Sequence, residues 1–144
     1  MNSTFLLVYD DMVYNPPGFE YQLSGRKNLY PSDYESKPLL LPAWSSEIAS
    51  LIIQENYSYT YYGRYYINNS SGIIDVFARH TTVKVTDAVS GKTLFDKHYI
   101  TEVPDSFSII NVSRDSNEYE IYDQFNRNIA KKDIINELNT IGYF

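Results

Sequence analysis

Clustered and alternating apolar positions predict strands over much of this chain. Residues 4–9 (TFLLVY) form a short apolar run that ends at Asp10, a pattern typical of a buried first strand. Residues 57–67 (YSYTYYGRYYI) are rich in aromatic and β-branched side chains, which favour a second strand. The turn-forming residues 68–72 separate it from a third strand, which we expect over residues 73–86.

The segment DAVSGK over residues 87–92 predicts a turn between two antiparallel strands. Its first residue is an aspartate, which suits the start of a turn, and Gly91 suits a position with positive φ. We therefore expect a hairpin that joins the third strand to a strand over 93–101. Two further short strands are expected over residues 106–112 and 118–122, with a polar turn between them at residues 113–117.

Two segments show the spacing of amphipathic helices. Over residues 45–56 the apolar side chains recur every three or four positions and form one stripe, made by Trp44, Ile48, Leu51 and Ile52. Over residues 129–141 a second stripe is made by Ile134, Ile135, Leu138 and Ile141. We expect Asn128 to cap the second helix and Gly142 to end it.

A long irregular connection is predicted between the first strand and the first helix. Residues 15–42 contain five of the six prolines, and each one removes a backbone donor that a helix or a sheet would use. Long loops of this kind are often functional. The simpler interpretation is a flap that covers the core through Phe19, Tyr21, Leu23 and Tyr30.

Together these elements predict a single α+β domain over residues 1–144. In this domain a mostly antiparallel sheet packs against two helices, near residues 45–56 and 129–141. The same pattern leaves open a β-sandwich with one peripheral helix. A length of 144 residues is ordinary for one domain and sufficient for one buried core.

Composition and charge narrow the classes of partner. The formal net charge is −6 and the basic residues are scattered, which argues against binding to nucleic acid or to an anionic membrane surface. No segment approaches the ~20 apolar residues of a membrane span. The start of the chain lacks the basic and apolar regions of a signal peptide, although a chain trimmed of its leader would look the same, so the compartment stays open.

The tyrosine-rich segment is the strongest candidate contact surface in the sequence. The chain has 15 tyrosines, whose rings combine an apolar body with a polar tip and therefore suit contact surfaces. Alternation along a strand divides residues 57–66 between two faces. We expect Tyr59, Tyr61, Arg64 and Tyr65 to contact a partner, either a protein or a glycan. The competing interpretation is that these tyrosines form cross-strand pairs inside a covered sheet.

Motifs for catalysis or for metal binding are missing from the sequence. The absence of cysteine removes thiolate zinc sites and cysteine nucleophiles. His80 and His98 could approach each other across the hairpin, but zinc requires three or four protein ligands. No serine lies in a nucleophile elbow, and no glycine-rich phosphate loop is present. We therefore expect no catalytic residue, no metal and no cofactor.

The residues VKVTDAVSGKTLFDKHY over 83–99, with Pro104 and the C-terminal helix after them, resemble a loose family of small bacterial domains of unknown function. Such domains are often exported or attached to the cell envelope. The resemblance covers roughly residues 43–141. It implies a strand–helix–meander–helix domain with an extracytoplasmic location, and it implies no catalytic residue.

Three functions follow as hypotheses from these observations. The first is a non-catalytic binding or protein-interaction module of the bacterial envelope, with a protein or a glycan as partner. The second is a cytosolic acidic partner protein, such as an immunity protein or a phage-encoded inhibitor, whose negative charge steers it onto a basic target. The third is a small enzyme. Oligomeric state does not follow from the sequence.

Overall fold

The computed structural model describes residues 3–10, 13–14, 23–24, 29–43, 49–66, 73–102 and 119–144. They form a mixed sheet of six strands, a separate two-stranded pair and one α-helix. The strands are β1 (Ser3–Asp10), β2 (Val13–Tyr14), β3 (Leu23–Ser24), β4 (Leu40–Pro42), β5 (Leu51–Tyr66), β6 (Ile73–Asp87), β7 (Thr93–Tyr99) and β8 (Tyr119–Tyr122), and the helix is α1 (Arg127–Thr140).

The long strands β5 and β6 form the centre of the sheet. They pair antiparallel along their whole length, from Leu51↔Asp87 to Tyr66↔Ile73. The register shifts between Tyr61 and Gly63, so Tyr62 is the extra residue of a β-bulge. Such a bulge re-aims the side chains that follow it, and the simple alternation expected for residues 57–66 is therefore interrupted.

Parallel pairings flank this central hairpin on both sides. β1 lies parallel between β4 and β5. The other edge of β6 is shared, because β7 pairs antiparallel with residues 81–86 and β8 pairs parallel with residues 75–78. The sheet order is thus β4-β1-β5-β6-β7, with β8 beside β6. The expectation of a mostly antiparallel sheet is confirmed in part. The β5–β6 and β6–β7 pairings are antiparallel, but β1, β4 and β8 join in parallel, so the sheet is mixed.

One face of the sheet and α1 together enclose the core. Ala130, Ile134 and Leu138 of the helix are fully buried. They belong to one cluster with buried residues of β1, β4, β5 and β6, namely Phe5, Leu40, Leu51, Ile53, Val83 and Val85. The predicted C-terminal helix is confirmed, with its cap at Asn126 instead of Asn128. The three buried residues are four positions apart, which places them on the one side of the helix that the sheet covers.

The predicted helix over residues 45–56 is wrong. Leu51 to Asn56 belong to β5, and Ala49 and Ser50 precede it in non-helical conformation, whereas residues 44–48 lie outside the described ranges. Leu51 and Ile53 instead point to the core from alternate strand positions, with β1 and β6 on their two sides. Tertiary pairing therefore overrides a pattern that also fits a helix. Neither the two-helix arrangement nor a sandwich of two large sheets is seen in these ranges.

The hairpin around residues 87–92 is confirmed. Asp87 Oδ1 accepts hydrogen bonds from the backbone N–H groups of Val89 and Ser90 at 3.0 and 2.8 Å. These bonds lower the pKa of Asp87. Gly91 adopts φ 74°, the conformation that glycine tolerates without steric cost. The predicted strand over 118–122 is seen as β8, and the predicted strand over 106–112 lies outside the described residues.

In the described part of the proline-rich connection, the tyrosine buried in the core is Tyr34, whereas Tyr30 was expected there. Tyr34 is fully buried, just after a 3₁₀ turn at Pro31–Asp33. Tyr30 keeps 65% of its surface exposed, so the expectation that it packs as part of a covering flap was wrong. Leu23 lies in β3, and residues 15–22 lie outside the described ranges. The buried Tyr34 hydroxyl donates a hydrogen bond to Glu55 of β5.

Candidate binding site

A carboxylate lies inside the core on the helix-facing side of β5. Glu55 follows Leu51 and Ile53 on the buried face of the strand and is 0% exposed. A buried carboxylate is costly unless it is paired with a cation and fully hydrogen-bonded. Glu55 therefore requires partners from the elements packed around it.

Three side chains supply four hydrogen bonds to the Glu55 carboxylate. The Tyr34 hydroxyl donates to Oε2, and the Tyr57 hydroxyl donates to Oε1 at 2.6 Å. The guanidinium of Arg127 completes a bidentate pair, with Nε 2.8 Å from Oε2 and Nη2 2.9 Å from Oε1. We call Glu55, Tyr34, Tyr57 and Arg127 the Glu55 cluster. Both carboxylate oxygens are satisfied, so the cluster is a closed network.

The Glu55 cluster shifts the ionisation of its members. Burial and the neighbouring Glu55 carboxylate raise the pKa of Tyr34 and of Tyr57 well above the ordinary value. Burial by itself lowers the pKa of Arg127, but its hydrogen bonds to Glu55 and the charge of that carboxylate outweigh burial and raise it. Both hydroxyls therefore remain protonated donors and the guanidinium remains charged across the physiological pH range.

The cluster also explains an unfavourable residue at the start of α1. Arg127 is the first residue of the helix, where its positive charge opposes the helix dipole. Its side chain is only 14% exposed and is compensated by Glu55. Asn126 caps the same end, because its side chain accepts a hydrogen bond from the Asn128 N–H at 2.9 Å. The helix start is thereby anchored to the middle of the sheet.

A cleft of about 470 Å³ that opens to solvent is lined in part by Arg127 of the Glu55 cluster. One wall is the 3₁₀ turn and the residue before it, with Tyr30, Ser32 and Asp33 lining the cleft. The other wall is the start of α1, which contributes Asn126, Arg127, Asn128 and Lys131. Tyr34 ends the first wall and Arg127 begins the second, so both walls are tied to Glu55. Lys131 Nζ adds a direct link across, donating to the Glu35 carbonyl at 3.2 Å.

A second network joins the cluster to Asp123, the residue that follows β8. Arg79 Nε donates to Asp123 Oδ2 at 3.0 Å, and the guanidinium lies over the Tyr57 ring, 4.7 Å from its centroid. Tyr57 is therefore held between two cations, Arg79 over its ring and Arg127 at its hydroxyl. The Glu55 cluster is thus connected to a second buried cation, Arg79, through the Tyr57 ring.

The two histidines do approach each other, with ring centroids 6.2 Å apart. His80 Nδ1 accepts a hydrogen bond from the Thr101 N–H at 3.0 Å, and its Nε2 lies 2.9 Å from the Thr60 hydroxyl. Both ring nitrogens are thus engaged, which disfavours metal ligation by this side chain. Among the residues that the structure describes, no three carboxylate or imidazole groups are arranged as metal ligands.

Of the four predicted contact residues, two have described side chains, and neither of these is fully exposed. Tyr59 is buried, at 6% exposure, and Tyr61 is half-buried, with its hydroxyl donating to Asp75 at 3.0 Å. Arg64 and Tyr65 lie in β5 after the bulge, and their side chains fall outside the description. The bulge residue Tyr62 is 42% exposed. A contact surface on this segment remains a prediction.

Sequence reasoning did not identify the Glu55 cluster, although one signal was present. Positions 51, 53, 55, 57 and 59 alternate as Leu, Ile, Glu, Tyr and Tyr, so a single charge interrupts an otherwise buried face. Reading residues 45–56 as a helix concealed this alternation. Tyr34 and Arg127 carried no comparable signal, because their proximity to Glu55 arises only from the tertiary fold.

No family model, curated protein or solved structure matches this chain. The site must therefore be interpreted from its own geometry. Within the described ranges, no helix has the length and apolar character that crossing a membrane demands.

Proposed function

We propose that this chain is a non-catalytic binding domain whose ligand occupies the cleft between the 3₁₀ turn and the start of α1. The observation that supports it most directly is that one buried carboxylate, Glu55, holds both walls through Tyr34 and Arg127. Walls fixed before the ligand arrives lose little conformational entropy on binding. A concave site with a few placed polar groups is the usual form of a small-molecule pocket.

The chemistry of the Glu55 cluster supports binding in preference to catalysis. A general acid or base must reach the atom whose proton it transfers, directly or through one water. Glu55 is 0% exposed and already accepts four hydrogen bonds. Its carboxylate is therefore better suited to holding the walls than to attacking or protonating a substrate.

A protein or a glycan is still the expected partner, but the contact site is now the cleft instead of the tyrosine-rich segment of β5. A location in the bacterial envelope, implied by the sequence resemblance, remains part of it. The contact surface on β5 is the competing site, because Tyr62 is exposed and precedes Arg64 and Tyr65 in the sequence. An experiment must therefore locate bound ligand on the chain as well as detect it.

Backbone amide NMR spectra of the labelled protein, recorded with three separate probes, test this proposal. The probes are a neutral disaccharide, inorganic phosphate and indole, which represent polar, anionic and apolar ligands. We expect at least one probe to shift the amides of Ser32, Asp33 and Asn128 in a saturable manner. If every saturable shift falls on residues 59–66, or if none occurs, the proposal is overturned.

A Tyr34→Phe variant tests whether the fixed walls matter. The ring stays buried while the hydrogen bond to Glu55 is lost, so the first wall gains freedom and probe binding weakens several-fold. Tyr143→Phe is the matched control, because that hydroxyl bonds to Ser50 and Asp87, which do not line the cleft. Equal probe affinity in both variants contradicts the proposed role of the Glu55 cluster.

A further inference from the structure

We infer that the cleft takes a neutral sugar ring, held face-on by Tyr30 and by hydrogen bonds from the helix side. This inference rests on the proposed function, because it names the ligand class of the same cleft. Three properties of the lining support it. The cations already contact other groups of the protein, one aromatic ring is exposed, and the polar side chains include both donors and acceptors.

The cations of the cleft are already engaged within the protein. Arg127 forms the bidentate pair with Glu55, and Lys131 donates to the Glu35 carbonyl. The Asn126 side chain accepts a hydrogen bond from the Asn128 N–H at the helix start, so this donor is not available to a ligand. Asp33 adds a carboxylate on the opposite wall. The carboxylates of Glu55 and Asp33 balance the charges of Arg127 and Lys131, so the lining favours a ligand without net charge.

Tyr30 offers an aromatic ring at the rim of the cleft. It keeps 65% of its surface exposed, although large aromatic side chains normally gain by burial. The apolar face of a sugar ring consists of C–H groups and can lie flat on an aromatic ring. The Tyr30 hydroxyl adds a polar tip for a sugar hydroxyl. An exposed aromatic ring beside polar groups therefore fits a ligand with one apolar and several polar surfaces.

The polar groups of the cleft suit pairs of neighbouring hydroxyls. The Asn128 amide carries donors and an acceptor, and the Asn126 amide offers its donors, because its oxygen already accepts from the Asn128 N–H. The Asp33 carboxylate can accept hydrogen bonds from the ligand. The Ser32 hydroxyl both donates and accepts. A hydroxyl does the same, so a sugar can satisfy this mixed lining, whereas an apolar ligand would leave it unpaired.

Titration of the folded protein with neutral oligosaccharides tests the inference, with calorimetry and amide NMR as readouts. Oligomers of β1,4-linked glucose and N-acetylglucosamine represent polysaccharides, and mannose- and galactose-terminated oligosaccharides represent glycoprotein glycans. We expect one group to bind and to shift the amides of Ser32 and Asn128. Tyr30→Ala should weaken that binding about tenfold, because the stacking ring is lost, and Tyr30→Phe much less, because the ring stays.

Tyr62→Ala is the matched control, since it removes another exposed tyrosine that does not line the cleft. It should leave saccharide affinity unchanged. If phosphate or indole binds in the cleft and no saccharide does, the sugar assignment is overturned and the proposed binding cleft stands. If no probe of any class binds there, both are overturned. Equal loss in Tyr62→Ala and Tyr30→Ala also rejects the role of Tyr30.

Discussion

Glu55 shows how one residue determines the arrangement of several elements. Its carboxylate joins β5 to the 3₁₀ turn through Tyr34 and to α1 through Arg127. Buried ion pairs contribute little net stability compared with apolar packing, but removing one partner leaves an uncompensated charge. We therefore expect the pair to act on the specificity of the arrangement more than on its stability.

Replacing Glu55 by Leu should lower the free energy of unfolding by about 3–5 kcal/mol, because Arg127 then lacks a counter-charge in the core. The double variant Glu55→Leu/Arg127→Met should recover a large part of that loss. Urea denaturation measures both. Lys37→Ala breaks the exposed pair with Glu35 and serves as control, with a cost of less than about 1 kcal/mol. Equal losses in the single and double variants would contradict the assignment.

His80 makes stability depend on pH. Burial and the nearby His98 lower its pKa below the ordinary value of 6.5, while Asp123, already paired with Arg79, raises it slightly. The unfolded chain binds the proton more readily, so this contribution is present above pH 6.5 and is lost as pH falls through the lowered pKa. Protonation also removes the acceptor of the Thr101 N–H.

We therefore expect the free energy of unfolding to fall as the pH is lowered below 6.5. The fall should be smaller in a His80→Gln variant, and urea denaturation at several pH values measures both. An amide oxygen at position 80 can still accept from Thr101 but does not titrate. His98→Gln should move the NMR titration of His80 to higher pH, because the neighbouring charge is removed. An unchanged pH dependence in His80→Gln would assign the effect to other groups.

At the scale of elements, local sequence signals predicted some parts well and failed in others. The turn at 87–92 and the helix at the C-terminus were predictable, since Asp87, Gly91 and the spacing of Ile134 and Leu138 act locally. Leu51 to Asn56 were not, because apolar positions there fit both periods. The pairing of this segment with β1 and β6, through residues distant in sequence, decides the outcome.

Gly91→Ala tests the local determinant of the β6–β7 hairpin. At φ 74° a side chain is strained although no atom lies within 4 Å of the added Cβ, so the cost should be about 1 kcal/mol and arise from the backbone alone. Thermal unfolding measures it. Val89→Ala, in the same turn and highly exposed, should have almost no effect. Equal effects of the two substitutions would exclude backbone strain as the cause.

At the scale of the whole molecule, one helix covers the core face of a mixed sheet. Leu138 is fully buried in the core cluster together with Phe5 and Leu51. Leu138→Ala should therefore lower the free energy of unfolding by about 2–5 kcal/mol, as expected when a buried leucine is truncated. Ile141→Ala, at an exposed position just after the helix, should cost much less in the same denaturation experiment. Comparable costs would contradict the packing of α1.

The cleft and the Glu55 cluster could not be predicted from the sequence for a topological reason. Glu55 and Arg127 are 72 positions apart, and Tyr34 and Glu55 are 21 apart. No periodicity connects such residues. Only the combination of a parallel β1–β5 pairing with a helix crossing the same face brings them together.

The distance in sequence between Glu55 and its guanidinium partner has a consequence during synthesis. Translation produces Glu55, Tyr34 and Tyr57 long before Arg127, so an unfinished chain has a carboxylate that the sheet cannot enclose without penalty. We therefore expect this sheet to close fully only after Arg127 has left the ribosome. A chain that ends before residue 127 should leave the sheet accessible to proteases, because Glu55 then has no counter-charge. Complete chains are thereby distinguished from unfinished ones by their resistance to proteolysis.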